Sequence, residues 1–415
     1  MPSPLRVAIV TDAYPPGIGG VENHSVNLAR ELARLGHEVT VVTHREVISD
    51  FRFPIVDRPR AATQGEDSPA RAASDARSEI GDRTSEIPVR VVRLDGGVMV
   101  FRDHDIAVDP AMLVGFSRLL DRQEFDVIHG QGEASMLVYG ALWLARRRGI
   151  PTVLTRHSML RNKPRAAWPL VMGLTRLLLP LADGVISVSE DCAEETGWFG
   201  GPKRVIPNGV DTSRFAPSTA ERAAERANRG YGPETVVIGY AGRLHRQKGV
   251  LVLADAFAEA RREWPQAHLV FAGPGPLRPE LARRAACPGS GISLLDPLDE
   301  DGVVRFLRGL DVFAFASRGE SFGIAVLEAM ACALPVVALE RWGVRRLVRD
   351  GATGYLCRDA AGLASRLVEL CRNPDLRARL GAGGRAAAVA DYSWSSVAGR
   401  TSEFYHELAA GRTSR

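Results

Sequence analysis

The feature that most restricts this chain is the alternation of short apolar runs with longer segments of helical periodicity along most of its length. Such alternation is typical of βαβ units, in which helices cover both faces of a parallel sheet. The runs form two successive groups, and each group suffices for a doubly wound sheet. We predict an α/β protein with strands at residues 6–11, 38–43, 89–94, 126–128, 152–155, 184–188 and 204–206, then at 236–241, 268–272, 292–295, 312–316, 335–338 and 354–357.

The length of 415 residues exceeds what one ordinary hydrophobic core supports, which suggests two domains. A polar stretch with a proline at 211–218 predicts the linker, so we expect domains at 1–212 and 213–390. Residues 391–415 are helical in pattern, and we expect this helix to pack its aromatic side chains back on the first domain. Residues 58–87 contain few large apolar side chains, which is typical of a flexible insert.

The composition is that of a soluble globular protein, with 45% hydrophobic and 25% charged residues. The net charge of +4 favours anionic ligands or an acidic membrane surface over nucleic acid. Five dispersed cysteines without metal-binding spacing indicate a reducing cytoplasm. The first apolar run is too short for a signal peptide, and the run 168–182 is broken by prolines and an arginine, so we expect no membrane span.

Two glutamates lie in the segment 317–331, between two predicted strands. If its helix begins near Ser321, Glu320 lies just ahead of the helix N-terminus and Glu328 about two turns inside it. The free N–H groups of that N-terminus suit an anion such as a phosphate. Taken alone, the pair also suits acid/base chemistry of the glycosidase kind.

The loop after the first strand is rich in glycine and opens a long amphipathic helix. Gly19 and Gly20 allow the backbone to approach a phosphate closely, and the helix N-terminus supplies N–H donors. The alternative is that these glycines only form a tight turn. The loop lacks the pattern G-x-G-x-x-G, which argues against a nicotinamide dinucleotide.

Histidines follow two predicted strands, at the edge where α/β proteins bind ligands. His157, after the strand 152–155, is placed to bind a substrate or exchange protons near neutral pH, unless it only caps its strand. His129, which ends the strand 126–128, is a weaker candidate by the same argument. His24, on the first helix, is expected to face solvent or an interface.

Arg243 and Lys248 lie in the loop after the strand 236–241, with glycines at both of its ends. Two fixed cations at the carboxyl edge of a sheet suit the dispersed charge of a diphosphate. The alternative is a surface loop with random basic residues. A glycine-proline turn at 271–276 either lines a nucleotide pocket or connects two elements.

Four motifs together resemble glycosyltransferase family 4 over nearly the whole chain, excepting the insert. They are Gly19-Gly20, the junction 204–211, the loop 242–249, and the segment of the two glutamates. Each motif alone is weak, but the four in this order make a specific signal. The resemblance implies a GT-B fold, in which two Rossmann-like domains face a cleft. The second domain would hold mainly the nucleotide and the first mainly the acceptor.

The resemblance also implies an anomer-retaining transfer that needs no metal and no cofactor beyond the nucleotide sugar. Arg243 and Lys248 would bind the diphosphate and neutralise the leaving group, in place of a divalent metal. Glu320 would face the donor sugar, and His157 would stabilise the reacting centre. The departing phosphate would act as base, so no carboxylate nucleophile is required. Further donor contacts would come from Gly19, Gly20, Gly323, Ile324 and, at the ribose, Glu328.

Within the family, the segments 19–24, 42–44 and 155–158 look most like the catalytic subunit of phosphatidylinositol N-acetylglucosaminyltransferase and its prokaryotic relatives. This likeness implies UDP-N-acetylglucosamine as donor and an inositol- or polyol-like acceptor, with GDP-mannose or UDP-glucose as alternative donors. The basic, interrupted apolar stretch 161–179 would either rest on an anionic membrane or pack in the core of the first domain.

Several positions near the expected donor pocket depart from the family pattern. Where the family commonly has Gly-Gly-x-Pro-Glu, residues 342–346 are Trp-Gly-Val-Arg-Arg. Ala333 replaces the usual glycine before the strand 335–338, and Leu-Asp-Pro at 295–297 replaces Phe-Leu-Gly. The added arginines would contact either a further negative charge on donor or acceptor, or only solvent.

Two other functions are compatible with this sequence. Sugar-nucleotide 2-epimerases share the fold and bind the same donor without an acceptor. The other is a degenerate protein that binds a nucleotide sugar without catalysis. The presence of Glu320, Glu328, Arg243, Lys248 and His157 argues against this last hypothesis.

Overall fold

The computed structural model of this chain describes residues 3–12, 14, 20–44, 89–94, 98–101, 104–107, 110–133, 135–159 and 168–413. The predicted insert at 58–87, Gly19, and the basic first part of the stretch 161–179 lie outside the described residues.

The first domain is built on a parallel sheet that has seven strands among the described residues. The strands are β1 (Arg6–Thr11), β2 (Glu38–His44), β3 (Arg90–Leu94), β6 (Val127–Gln131), β7 (Thr152–Arg156), β8 (Gly184–Ser187) and β9 (Lys203–Val205). Two further strands, β4 (Val98–Phe101) and β5 (His104–Ala107), form an antiparallel hairpin that follows β3 in the chain. Their order in the sheet is β3-β2-β1-β6-β7-β8-β9. Ile9 of β1 pairs with Val41 on one side and with His129 on the other, so the chain changes direction across the sheet at β1.

The second domain repeats this plan with six parallel strands in the described part of the chain. They are β10 (Val236–Ala241), β11 (Ala267–Ala272), β12 (Ile292–Leu295), β13 (Val312–Phe315), β14 (Val336–Leu339) and β15 (Gly354–Cys357). Their order is β12-β11-β10-β13-β14-β15, which again changes direction beside the first strand of the domain. In doubly wound sheets, ligands bind at the carboxyl edge beside such a point.

Helices cover both faces of each sheet. In chain order they are α1 (Gly20–Arg34), α2 (Pro110–Arg122), α3 (Met136–Arg147), α4 (Trp168–Leu178), α5 (Glu190–Glu194), α6 (Thr219–Asn228), α7 (Val250–Glu263), α8 (Arg278–Ala285), α9 (Glu300–Gly309), α10 (Ile324–Ala331), α11 (Val344–Leu347), α12 (Ala360–Arg372), α13 (Pro374–Tyr392) and α14 (Trp394–Thr413). Ser135, Asp299 and Asn373 cap α3, α9 and α13 by accepting a hydrogen bond from the backbone N–H three residues on. The apolar faces form one core in the second domain and one on each face of the first sheet.

The chain passes between the domains twice at one place. The backbone N–H of Val210 donates to the carbonyl of Tyr392 at 2.8 Å, and Val210 forms a parallel bridge with Ser393. After this second passage, α14 packs against α1 of the first domain, where His37 Nε2 lies 2.7 Å from Ser402 Oγ. Therefore α14 is part of the first domain although it follows the second in sequence.

The two parallel sheets confirm the predicted fold class, and every predicted strand overlaps a strand of the structure. The sequence pattern does not predict the hairpin of β4 and β5. The start of α10 also differs from the prediction, because this helix begins at Ile324 rather than near Ser321. Gly323, with φ of 102°, adopts a left-handed conformation that separates the helix from the loop before it. Glu328 thus lies about one turn inside α10 instead of two.

Candidate functional site

The loop between β10 and α7 holds the two predicted cations at the carboxyl edge of the second sheet. Arg243 is exposed, and its carbonyl accepts a hydrogen bond from the Tyr240 hydroxyl at 3.1 Å. The loop continues into a short 3₁₀ turn that ends at Lys248. The carbonyl of Gln247 in this turn accepts from the backbone N–H of Arg318 at 2.9 Å. This hydrogen bond ties the cation loop to residues 317–323, which we call the glutamate loop.

Lys248 and Glu320 form an ion pair between these two loops. Lys248 Nζ lies 2.5 Å from Glu320 Oε2, and Ser317 Oγ donates to the same oxygen at 3.3 Å. The two paired side chains keep 19% and 20% of their surface exposed. The ammonium of Lys248 is therefore oriented by a carboxylate and still accessible to an anionic ligand.

Glu328 has a different environment from Glu320. It lies half-buried in α10. Burial, with a further contribution from the Glu300 carboxylate, raises the pKa of Glu328 to about 8, and Arg214 partly opposes this shift. Glu328 is thus mostly protonated at neutral pH, and its carboxyl group can both donate and accept hydrogen bonds.

Gly20 of the first domain faces the start of α10 in the second. A Cβ atom on Gly20 would lie 3.0 Å from Cδ1 of Ile324, so the two domains are in close contact here. Gly323 directly precedes Ile324 as the N-cap of α10. The structure therefore brings together three of the predicted donor-binding residues, Gly20, Gly323 and Ile324.

His157 follows β7, and polar groups of neighbouring segments hold it in place. Its Nε2 lies 2.8 Å from Oε1 of Gln131. An amide oxygen only accepts hydrogen bonds, so Nε2 of His157 carries the proton and Nδ1 remains an acceptor. Two residues further on, the backbone N–H of Met159 donates to Oγ of Ser321 at 3.2 Å. This contact joins the histidine segment of the first domain to the glutamate loop of the second.

His24 is buried, so of its two expected environments, solvent or an interface, solvent is wrong. Its ring packs edge-on against His157, with ring centroids 4.6 Å apart, and its Nδ1 lies 2.9 Å from Oδ1 of Asn208. Trp394 of α14 packs edge-on against the same ring, with centroids 5.2 Å apart. The burial of His24 thus results from the return of α14 to the first domain.

His129 lies inside β6 rather than at its end, because this strand continues to Gln131. Its Nδ1 lies 2.5 Å from the hydroxyl of Tyr405 on α14, and its Nε2 lies 2.7 Å from Thr155 Oγ1. Nε2 of Gln131 lies 3.2 Å from Nε2 of His129. A continuous series of hydrogen bonds therefore links α14 to His157.

Burial keeps these three histidines uncharged at neutral pH. It lowers the pKa of His129 and of His157 to about 3, and it lowers the pKa of His24 well below its ordinary value. The proximity of the three rings to one another lowers each pKa further. His157 is therefore a neutral hydrogen-bonding group and not an acid that titrates near pH 7.

Gln131 and Glu133 are site residues that the sequence analysis missed. The Glu133 carboxylate accepts hydrogen bonds from the backbone N–H of His157 at 3.2 Å and from the hydroxyl of Ser158 at 2.6 Å. It therefore fixes the backbone on both sides of the His157 carbonyl. The available signal was a polar residue at the end of β6, Gln131, and another just after it, Glu133.

Residues 342–346, which depart from the family pattern, contact the first domain. The backbone N–H of Gly343 donates to Asp191 Oδ2 at 2.8 Å, and the guanidinium of Arg345 donates to Asp191 Oδ1. Arg345 thus pairs with a carboxylate of the protein, and neither predicted alternative, a ligand charge or only solvent, describes it. Arg346 is exposed. Ala333 adopts φ of 59°, the conformation that the usual glycine takes without strain.

The other cavity and metal candidates lack the features of this site. A cavity of about 310 Å³ lies at the amino edge of the second sheet. Its lining includes Arg222 and Arg308, but Asp311 and backbone carbonyls already bind these guanidinium groups. Within the described ranges, no group of three or more His, Cys, Asp or Glu side chains could hold a metal ion.

Comparisons with known proteins match both domains. A model described as Glycosyltransferase Family 4 matches residues 18–214, and one described as Glycosyl transferases group 1 matches residues 235–373. The chain is 32% identical over 321 residues to a D-inositol 3-phosphate glycosyltransferase of Geodermatophilus obscurus, covering 69% of this chain and 68% of that one. It is 30% identical over 406 residues to the phosphatidyl-myo-inositol mannosyltransferase of Mycobacterium tuberculosis, covering 94% of each chain. The crystal structure of Anabaena HepE with UDP-glucose has a TM-score of 0.70 and 18% identity, covering 97% of this chain and 99% of that one.

Acidification should destabilise the fold through the buried histidines. The unfolded chain binds a proton at each histidine near pH 6.5, whereas His129 and His157 of the folded chain stay neutral down to about pH 3. This contribution to stability is complete above pH 6.5. Below that pH, the free energy of unfolding should fall by up to about 1.4 kcal/mol per pH unit for each histidine. Urea denaturation at pH 7, 6 and 5 measures this slope.

Replacement of one buried histidine should reduce the change in the free energy of unfolding per pH unit. We expect His129→Gln to have a shallower pH dependence than the parent protein, because one titrating group is removed. Leu35→Gln, at an exposed leucine after α1, changes no titrating group and should keep the parent slope. Equal slopes in the His129→Gln variant and the parent would contradict the assignment.

Proposed function

This chain belongs to glycosyltransferase family 4, and we propose that this hexosyltransferase moves N-acetylglucosamine from UDP-N-acetylglucosamine to a hydroxyl group of an inositol- or polyol-like acceptor. We further propose that the transfer retains the anomeric configuration and needs no metal. The observation that carries the proposal is the accessible ion pair of Lys248 with Glu320, in which the charged atoms lie 2.5 Å apart. Glu320 belongs to the glutamate loop, which contacts the histidine segment of the other domain.

The proposed donor site uses Arg243 and Lys248 as fixed cations for the diphosphate. The phosphate oxygens compete with Glu320 for the ammonium of Lys248, and the exposed guanidinium of Arg243 adds a second positive charge. Both positive charges stabilise the negative charge that develops on the leaving diphosphate as the bond between the sugar and the diphosphate breaks. Glu320, displaced from Lys248 by the phosphate, then faces the donor sugar.

His157 acts in this proposal as a neutral hydrogen-bonding group beside the sugar. Its Nε2–H is directed to Gln131, so Nδ1 can accept a hydrogen bond from a sugar hydroxyl. A histidine with a pKa of about 3 is a poor base near neutral pH. This favours the departing phosphate as the group that takes the proton from the acceptor hydroxyl, which is the front-face route to retention.

The relatives support the choice of acceptor more than that of donor sugar. The names of both relatives contain an inositol compound, D-inositol 3-phosphate in one and phosphatidyl-myo-inositol in the other, which supports an inositol-like acceptor. HepE was crystallised with UDP-glucose, which supports a uridine nucleotide, whereas the second relative is a mannosyltransferase. GDP-mannose and UDP-glucose are therefore the alternative donors to test first.

The direct test is the release of UDP from UDP-N-acetylglucosamine with inositol, D-inositol 3-phosphate or phosphatidylinositol as acceptor. Glu320→Gln and Lys248→Ala should each lower kcat/KM by more than about tenfold, which corresponds to 1.4 kcal/mol, because each removes a contact to the donor. Arg262→Ala removes an exposed cation on α7 and should retain the parent activity. Activity within twofold of the parent in both site variants would contradict the assignment.

Two controls separate the alternative functions. Turnover of GDP-mannose but of no UDP sugar would overturn the choice of donor. It would not affect the proposal that Arg243 and Lys248 bind the diphosphate. Accumulation of the manno isomer of the sugar nucleotide, without UDP release that depends on an acceptor, would instead identify an epimerase.

Donor binding should release a proton from Glu328. The free carboxyl group, with a pKa of about 8, is mostly protonated at pH 7. In the proposed complex the ribose hydroxyls donate hydrogen bonds to this group, which favours its charged form and lowers its pKa. Affinity for UDP should therefore increase from pH 6 towards pH 8. Calorimetry of UDP binding in buffers with different ionisation enthalpies should show net proton release at pH 7, and this release should be smaller in Glu328→Gln. Equal release in the two proteins would contradict the role at the ribose.

We also propose that the outer face of α3 and α4 rests on an anionic membrane. Its exposed apolar side chains include Trp143, Leu174 and Leu177, and neither helix contains an acidic residue. The guanidinium of Arg147 lies 4.9 Å from the Trp143 ring centroid. Apolar side chains among arginines suit the boundary between acyl chains and anionic head groups. No described helix has the length and apolar character needed to cross a bilayer.

Vesicle co-sedimentation tests this surface. The protein should sediment with vesicles that contain about one third phosphatidylglycerol and much less with neutral phosphatidylcholine vesicles. Leu174→Ser combined with Leu177→Ser should lower binding to the anionic vesicles at least fivefold. Leu35→Ser, at an exposed leucine after α1, is the matched control and should bind as the parent does. Equal binding to the two kinds of vesicle would overturn the membrane proposal.

A further inference from the structure

We propose that Asp191 is a positioning residue that fixes the glutamate loop of the second domain relative to His157 of the first. It acts through Gly343 and Arg345, and we call these three residues the interdomain clasp. The inference rests on the proposed function, because its kinetic effect is an effect on the nucleotide-sugar donor. It adds to that function three residues that contact one another between the domains.

The Asp191 carboxylate uses both oxygens to hold the second domain. Oδ2 accepts from the backbone N–H of Gly343 at 2.8 Å, and Oδ1 accepts from the guanidinium of Arg345. Asp191 is only 1% exposed, whereas the Arg345 side chain is 36% exposed. A carboxylate that is buried between two domains requires both donors, since loss of either leaves a charged oxygen without a partner.

Gly343 transmits this contact to the glutamate loop. Its φ of 78° lies in the region that favours glycine, and a Cβ atom would lie 2.6 Å from the carbonyl oxygen of Glu320 and 2.8 Å from the backbone nitrogen of Phe322. The backbone at Gly343 therefore lies directly against the residues that orient Glu320. The N–H that contacts Asp191 belongs to this same peptide segment.

On the other side, Asp191 belongs to a unit that is rigidly joined to His157. Arg156, the residue before His157, is fully buried and donates to the carbonyl of Cys192 on α5 at 2.8 Å. It also pairs with Glu195, just after α5, at 3.4 Å. These contacts lock α5 to the end of β7. A movement that brings His157 to the donor therefore brings Asp191 to Gly343 and Arg345.

The clasp should change donor affinity more than the chemical step. It stabilises the arrangement in which the two domains approach each other, and this arrangement is needed in both the donor complex and the transition state. An interaction made equally in both states alters KM and leaves kcat nearly constant. If only a fraction of the molecules has the two domains in this arrangement, the apparent dissociation constant of the donor equals the intrinsic constant divided by that fraction. Loss of the clasp lowers this fraction and therefore weakens donor binding.

Arg345→Met and Asp191→Asn test the clasp. Arg345→Met keeps the aliphatic part of a partly exposed side chain, and Asp191→Asn keeps an acceptor for Gly343 but loses the charge. Each should raise donor KM by about three- to tenfold with kcat within twofold of the parent, and the double variant should be no worse than the poorer single variant. Arg346→Met removes the neighbouring exposed charge and should change neither constant. An unchanged KM in Arg345→Met, or a fall in kcat without a rise in KM, would overturn the proposal.

Hydrogen exchange of the ligand-free protein provides a readout that does not depend on the reaction. The peptide that contains residues 340–347 should exchange faster in Arg345→Met and Asp191→Asn than in the parent and in Arg346→Met, because Asp191 protects the amide of Gly343. Unchanged exchange in both variants would exclude the clasp. If the parent protein turns over no nucleotide sugar, the proposed function fails, and the exchange rates still decide whether the clasp exists.

Discussion

When all strands of a sheet run in one direction, the loops that leave their carboxyl ends must collect along one edge. The two large sheets in the described part of the chain are of this kind. The loops after β10 and β13 supply the cations and the glutamate loop, and the carboxyl ends of β6 and β7 supply the histidine network. The site thus arises where two such edges are held against each other. Hydrogen bonds between the domains, such as that from Met159 to Ser321, fix the register of the two edges.

The fold could be predicted almost completely from sequence, because buried parallel strands are short apolar runs that stand out from amphipathic helices. The cation loop and the glutamate loop could be found by the same argument. His24 was misjudged because Trp394, far away in sequence, covers it, and no local pattern contains this information. The pairing of Asp191 with Arg345 was equally inaccessible, since it joins two domains across 154 positions.

The polar interior of the first domain has a chemical consequence. His129, Gln131 and His157 form hydrogen bonds in series, and burial keeps both rings uncharged. Such a network can hold one tautomer of His157 in a fixed orientation, but it offers no proton at neutral pH. The charged pair that a ligand can reach, Lys248 with Glu320, lies instead in the second domain. The first domain therefore supplies orientation, and the second supplies charge.

The return of α14 to the first domain determines the order in which this chain can fold. The first sheet and its helices precede the second domain in sequence, but Trp394, Tyr405 and their neighbours complete one of the two first-domain cores. During synthesis that core cannot close until α14 has left the ribosome, by which time the whole second domain has been made. The second domain is thus topologically an insertion that is free to fold as a unit. Until α14 is made, α1 covers only part of the apolar face of the first sheet.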